Sequence, residues 1–368
     1  MKILLLLADR TACPVLFRQL AQFFNTQLID CEDGAAAVAE PADVILADVR
    51  TTNGAVVSRI RSILGEAGDI PKIGLVNLAK RQEGVQARAL GFSQLWNVDL
   101  PIEEALDLLK PLIGDYSGPN LPDDTPAATR LSVERLCAVL DRIALSVMTE
   151  TQLPIVQTAE SVQLTLSAIR SDGIGAWLSA VQSHHSHTFC HSMLVTGYAI
   201  SFAKLLGASA EEVALLGIGA VVHDVGKVRI PLSILDKPGK LTREEFTLVR
   251  KHPVYSREIL TGRPEIVPDI IDLAVHHHEY LDGTGYPDGL SGDEIGRYVR
   301  MLTICDIYSA LTEERAYKRA FSARQAYATL LEMGGKIDQD LLHQFRPVAF
   351  RSDLGEIRRT AVPAAQTG

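Results

Sequence analysis

The sequence predicts a two-part protein, a doubly wound parallel α/β domain followed by an all-helical bundle, and three observations carry that prediction. Short apolar runs alternate with helical patterns over residues 1–113. A stretch with three prolines and two glycines follows at 114–128. Beyond it the apolar spacing is helical to about residue 345, and all ten histidines lie there. The 368-residue length agrees, because a domain typically takes about 100–200 residues.

In order along the chain, Ile3–Ala8, Val44–Ala47 and Ile73–Val76 read as buried strands, with Leu28–Ile29 a weaker one. Between them Pro14–Phe24, Val56–Leu64 and Gly84–Leu90 have helical spacing. Strands alternating with helices indicate a parallel sheet covered on both faces, with ligands at the carboxyl ends of the strands. Those ends carry Asp9 and Asp48. The Pro/Gly-rich segment 114–130 reads as a linker. Two helical patterns, Leu131–Val147 and Val156–Ile169, make a lead-in over 131–174. They are either the first core helices of the next domain or a dimerising, signal-relaying hairpin. The helical domain proper spans 175–350, with loops at 236–240, 261–268 and 282–292, and 351–368 reads as a frayed tail.

Composition excludes several classes. The hydrophobic fraction of 47% and charged fraction of 22% are those of a globular protein, not a disordered or collagenous one. A formal charge of −9 leaves no basic field for a nucleic-acid backbone, so DNA is not an expected partner. The five cysteines form no CxxC pair, which fits a reducing cytoplasm. The opening run Ile3–Ala8 is too short for a signal-peptide core or a membrane span.

Even placement would put all ten histidines in one half with a chance of about one in a thousand, so their clustering asks for a cause. His187 and His191 are four apart, on one face of a helix. His223-Asp224 ends an apolar helical stretch and is followed by Gly226-Lys227. His252 precedes a proline. His276-His277-His278-Glu279 runs into Asp282-Gly283-Thr284-Gly285-Tyr286-Pro287, and Asp306 follows the apolar run 301–305. Singly, each has an ordinary structural explanation. Jointly, imidazoles mixed with carboxylates suit borderline first-row metals, and the choice among iron, manganese, nickel and zinc stays open. A carboxylate beside an imidazole can bridge two ions, and two ions can promote in-line displacement at phosphorus. Lys227 would add a fixed cation for phosphate charge.

These motifs resemble the HD-GYP domain, a branch of the HD metal-dependent phosphohydrolases that hydrolyses cyclic di-GMP in bacteria. His223-Asp224-Val225-Gly226-Lys227, His277-His278-Glu279 and Gly285-Tyr286-Pro287 carry the resemblance, which covers about residues 175–333. It implies a bundle of five to seven helices and two divalent ions, iron or manganese before nickel or zinc. The implied ligands are His191, His223, Asp224, His252, His277, His278 and Asp306, with Asp224 the bridge and, with Lys227, part of the catalytic apparatus. Lys227, Arg315 and Lys318 would touch substrate phosphates, Arg300 is a weaker candidate, and Tyr286 lies in the loop that names the family. The implied products are linear pGpG and, on further cleavage, GMP. Some members carry a glutamate four residues before the first histidine and bind a third metal; here that position is His187. His276 reads as a neighbour of the ligands.

Residues 1–113 resemble the receiver domain of two-component response regulators, with Asp48 at the phosphoacceptor position. The match is incomplete. Ala8 replaces one of the paired acids beside Asp9, Val76 or Asn77 stands for the expected hydroxyl residue, and Asp99-Leu100-Pro101 lacks the expected lysine. Phosphoryl transfer to an aspartate needs that charge compensation, so the expectation is a pseudo-receiver used for homodimerisation or for binding signalling partners. Two rivals to the cyclic di-GMP phosphodiesterase remain at this stage. One is a cyclic-dinucleotide sensor or docking module without turnover, and the other is a hydrolase of a different nucleotide.

Overall fold

The computed structural model of the chain describes residues 2–9, 13–32, 42–50, 53–113, 121–182, 187–235, 237, 239–313 and 320–351. It divides into two compact units, Met1–Ser117 with Ile230–Lys237, and Gly118–Arg229 with Pro238–Gly368.

The first unit holds five parallel strands, β1 (Lys2–Leu7), β2 (Asn25–Asp30), β3 (Val44–Asp48), β4 (Lys72–Val76) and β5 (Gln94–Asn97). Their order is β2-β1-β3-β4-β5, the flavodoxin-like doubly wound arrangement. Helix α1 (Val15–Phe23) lies between β1 and β2, α2 (Gly54–Glu66) between β3 and β4, and α3 (Arg81–Ala89) between β4 and β5, while α4 (Ile102–Ile113) follows β5. Ile3–Leu7 of β1 and Val44–Ala47 of β3 are apolar without interruption because both faces of a parallel sheet are covered, and Ile3 through Leu7 are at most 1% exposed. Helix α2 starts where the Asn53 side chain accepts a hydrogen bond from the Ala55 N–H (3.0 Å), a standard N-cap. β2 takes in the weak Leu28–Ile29 run. β5 was not legible, because of its four residues only Trp96 is buried and the ends are polar. Its place comes from pairing with β4, Ile73 opposite Gln94.

The second unit is built of helices, those of the lead-in and those of the bundle together. They are α5 (Ala127–Met148), α6 (Ile155–Asp172), α7 (Ile174–Val181), α8 (His187–Leu205), α9 (Ala210–Val222), α11 (Arg243–Val249), α12 (His252–Leu260), α13 (Pro268–His276), α14 (Arg297–Thr312), α15 (Ala323–Glu332) and α16 (Gln339–Arg351). The short α10 (Leu232–Leu235) falls in the segment grouped with the first unit, and a 3₁₀ turn covers Val225–Arg229. The lead-in helices α5 and α6 are core. Val133, Leu136 and Val162 are fully buried in the same apolar cluster as Leu194, Leu216 and Leu302. Within that core the Trp177 indole donates to Ser132 Oγ (3.0 Å), itself 2.9 Å from Thr165 Oγ1.

Two packing features set up the ligand-bearing helices. Tyr198 of α8 and Tyr308 of α14 meet edge-to-face at 5.1 Å, and Phe345 of α16 packs against both, so α8 and α14 are clamped together. Helices α9 and α13 approach closely at Gly219, where a Cβ would lie 2.3 Å from Leu273 Cδ1. Among the described residues no helix is long and apolar enough to cross a membrane.

Candidate metal centre

Five elements bring the histidine and aspartate side chains together. His191 lies on the first turns of α8 and Asp306 in the middle of α14. His223 is the C-cap of α9, with Asp224 next to it. His252 opens α12, where Pro253 occupies the first-turn position that proline tolerates. His277 is the C-cap of α13, and His278 follows. Helix α9 begins with a reciprocal capping box: Ser209 Oγ accepts from the Glu212 N–H, and Glu212 accepts from the Ser209 N–H (2.7 Å). Its apolar run ends at Val222, leaving His223 and Asp224 at the point where the helix opens into the 3₁₀ turn.

Asp224 is the hub. Its Oδ2 lies 3.2 Å from His223 Nε2, 3.8 Å from His191 Nε2 and 2.5 Å from Lys227 Nζ. Its Oδ1 lies 3.2 Å from His252 Nε2 and 3.9 Å from His277 Nε2. Asp306 reaches His191 Nε2 with Oδ1 (2.9 Å) and His278 Nδ1 with Oδ2 (3.6 Å). Three groupings have donor atoms close enough to share an ion: His252-His277-His278, His191-His223-Asp306 and His223-Asp224-His277. All seven sequence-predicted ligand positions are thus gathered at one place.

The ring nitrogens are oriented from behind. Nδ1 of His223, His252 and His277 each donates to the carbonyl three residues earlier, those of Ala220 (2.7 Å), Val249 (2.7 Å) and Ala274 (3.1 Å). That leaves Nε2 of each turned toward the centre. Burial pushes His252 down to about 3 and His278 to about 4, and holds His277 well below its ordinary value. These imidazoles are therefore neutral at neutral pH, the form that binds metal. Burial opposes ionisation of Asp224 and Asp306, but Lys227 and His223 outweigh it at Asp224, and the His191 hydrogen bond does so at Asp306. Both carboxyls end below the usual carboxylate range. Asp224, through its ion pairing, also holds His223 above its ordinary value against the effect of burial.

Around the cluster, Tyr286 stacks on His278 (centroids 4.8 Å apart), and the Arg250 guanidinium lies 4.3 Å over the Tyr286 ring. The loop bearing Tyr286 hangs on Glu279, a buried carboxylate whose Oε1 accepts from the N–H groups of Asp288 (2.6 Å) and Gly289 (3.0 Å). His276 is turned from the centre: Nδ1 bonds Asp272 (2.6 Å) and Nε2 bonds Asp288 (3.0 Å). The Arg300 guanidinium donates to the carbonyls of Ile295 (2.7 Å) and Gly292 (3.0 Å) and to Asp338 (3.3 Å), bracing the loops around it. Arg315, Lys318 and the His187 side chain lie outside the described residues. Sequence reasoning missed Glu279 as the loop's anchor and Arg250, because each acts through packing that no linear spacing displays.

In the first unit Asp48 ends β3, 2% exposed. Arg50 holds it in a fork, Nε to Oδ1 and a terminal nitrogen to Oδ2, both 2.9 Å, and the Arg50 N–H adds a third bond at 3.1 Å.

Residues 178–341 match the family model of the HD domain. Among individual proteins, the chain is 34% identical over 183 residues to a cyclic di-GMP phosphodiesterase of Pseudomonas aeruginosa, covering 50% of this chain and 44% of the relative. It is 40% identical over 136 residues to the cyclic di-GMP phosphodiesterase response regulator RpfG of Xanthomonas campestris pv. campestris, covering 37% and 36%. It is 36% identical over 159 residues to 3′3′-cGAMP-specific phosphodiesterase 2 of Vibrio cholerae, covering 43% and 30%. The chain spans less than half the length of these curated relatives. The solved structure of Bd1817, an HDG"Y"P protein from Bdellovibrio bacteriovorus, shares the fold with a TM-score of 0.50 at 16% identity, covering 73% of this chain and 81% of the other.

Proposed function

We propose that the second unit is a metal-dependent phosphodiesterase that opens a cyclic dinucleotide, with cyclic di-GMP as substrate and linear pGpG as first product. The observation that carries this is the convergence of seven ligand-type side chains on one point, with His252, His277 and His278 neutral and Asp224 and Asp306 ionised. The HD-domain match and the relatives named as cyclic-dinucleotide phosphodiesterases support it.

The residues fit two divalent ions. His223 Nε2 and Asp224 Oδ1 are buried and make no hydrogen bond among the described residues, which is costly unless a cation takes them up. His191, His223, Asp224 and Asp306 would hold one ion, and Asp224, His252, His277 and His278 the other. When bound, such ions supply Lewis acidity and a nucleophile at neutral pH. The chain's own groups do the rest. Lys227, whose side chain is 21% exposed, carries a positive charge at the edge of the centre, where a phosphate would meet it. Tyr286 and Arg250 form a flat wall over His278 that positions the ligand and restricts water. Arg315 and Lys318 are proposed as further phosphate contacts.

For the first unit we infer a receiver-like module that works without phosphorylation, by self-association or by binding a signalling partner. The Arg50 fork on Asp48 supports this, because it already neutralises the carboxylate.

The test of the enzyme reading is anaerobic incubation of the full chain with manganese(II) or iron(II) and cyclic di-GMP, in parallel with 3′3′-cGAMP, followed by chromatography. Linear pGpG from wild type and none from Asp224→Ala is the expected result. Binding of cyclic di-GMP without turnover under either metal would replace the enzyme with a sensor, and turnover confined to 3′3′-cGAMP would change the substrate.

A further inference from the structure

Four imidazoles offer Nε2 to the inner face of the centre, and three of them are oriented by a backbone carbonyl on Nδ1. His191 is the exception. Its Nε2 points at Asp306 and Asp224, while its Nδ1 is buried with no hydrogen-bond partner among the described residues. On that side stands Glu313, the C-cap of α14, only 1% exposed, with Oε2 3.7 Å from His191 Nδ1. The glutamate is held there by the backbone: its N–H donates to the Ser309 carbonyl (2.8 Å) as the last turn of α14 closes.

Resting on the metal-centre reading above, we propose that Glu313 is the positioning residue for His191, accepting the Nδ1 proton so that Nε2 is presented to an ion. Metal-binding histidines commonly give their second nitrogen to a carboxylate, which fixes the tautomer and raises the basicity of the ligating nitrogen. Here the carbonyl that does this for His223, His252 and His277 has no counterpart at His191, because its ring projects from within α8 instead of from a helix end. A small rotation of either side chain, or one water, closes the 3.7 Å gap. The device also links the two functions of α14: Asp306 faces the centre directly, and the residue that ends the helix orients the imidazole opposite it.

The test uses manganese(II) alone as the probe, titrated into the chelator-stripped full chain against a competing indicator, for wild type, Glu313→Ala, Glu313→Gln and Glu313→Asp. Wild type is expected to take two ions. Glu313→Ala should weaken one of them by about 10–100-fold, the range for loss of an outer carboxylate, and leave the other unchanged. Glu313→Gln, which keeps an acceptor oxygen without the charge, and Glu313→Asp should fall between, and the stripped proteins should unfold within a few degrees of each other. Wild-type affinity at both sites in Glu313→Ala overturns the proposal. So does equal weakening of both sites with a lower unfolding temperature, since that is the mark of a merely structural role. No manganese bound by wild type would instead remove the metal centre itself, and the proposal with it.

Discussion

Gly226 gives the sharpest perturbation of the centre that replaces none of the seven gathered side chains. It follows the His223-Asp224 pair, its N–H donates to Ser256 Oγ (3.0 Å), and its Cα lies directly on the first turn of α12. A Cβ there would stand 1.9 Å from the His252 carbonyl oxygen and 2.7 Å from the Ser256 nitrogen. Both are backbone atoms, so no side-chain rotation relieves the clash. Opening 1.9 Å to a tolerable 3.0 Å requires α12 to move by about an ångström, and His252 moves with it. Metal sites tolerate about 0.2 Å in ligand distance, and an ångström of misplacement in an active site costs about 100-fold in rate. Overpacking of this kind costs about 1–3 kcal/mol. At about 2–4 °C per kcal/mol for a unit of this size, Gly226→Ala should unfold some 2–12 °C lower. Calorimetry of the stripped protein and manganese titration read the two effects separately. An unchanged unfolding temperature together with wild-type manganese affinity would refute the packing argument.

Four further outcomes follow from the same geometry. Lys227→Ala leaves the buried Asp224 carboxylate without its nearest cation, so the metal-free protein should lose about 1–3 kcal/mol, and manganese should restore most of it; thermal melts with and without the ion show this. Glu279→Gln replaces the charged acceptor of the Asp288 and Gly289 amides, so the Tyr286 loop should exchange its amide hydrogens faster and the KM for cyclic di-GMP should rise, read by hydrogen exchange and steady-state kinetics. Thr129 donates through N–H (3.0 Å) and Oγ1 (2.7 Å) to Asp172, and its side-chain hydrogen bond is the main reason that carboxyl is lowered. Because the folded pKa is depressed, this stabilisation is complete above the unfolded pKa of about 3.9 and lost as pH falls through the folded value. The gap in unfolding temperature between wild type and Thr129→Val should therefore be constant near neutrality and shrink below about pH 4. Finally, incubation with acetyl phosphate and magnesium should add no phosphoryl mass to the first unit, and an adduct on Asp48 would show that Arg50 gives way.

How much the sequence disclosed depends on whether a residue's role is visible in linear spacing. The buried strands were legible because a parallel sheet covered on both faces demands unbroken apolar runs, and Ile3–Leu7 and Val44–Ala47 provide them. β5 escaped because pairing with β4, not hydrophobicity, makes Gln94–Asn97 a strand. The gathering of the histidines and aspartates was legible because imidazole and carboxylate at helix ends have few other uses in such density. Spacing does not display what Arg300 bonds, the carbonyls of Ile295 and Gly292 in its own loops. Glu313, Glu279 and Arg250 were invisible for the same reason, since each gains its role from a partner brought close only by the packing of α8, α13 and α14 or by the Tyr286 loop.

The central claim is that the seven gathered side chains hold two ions that make this chain a cyclic-dinucleotide phosphodiesterase. The most direct test is the hydrolysis rate of cyclic di-GMP by chelator-stripped protein as manganese(II) is restored under anaerobic conditions, with bound metal measured in the same samples. The account predicts no turnover in the stripped protein and a rate that climbs to its plateau as loading approaches two ions per chain. A rate independent of loading, or no hydrolysis once two ions are bound, would contradict it.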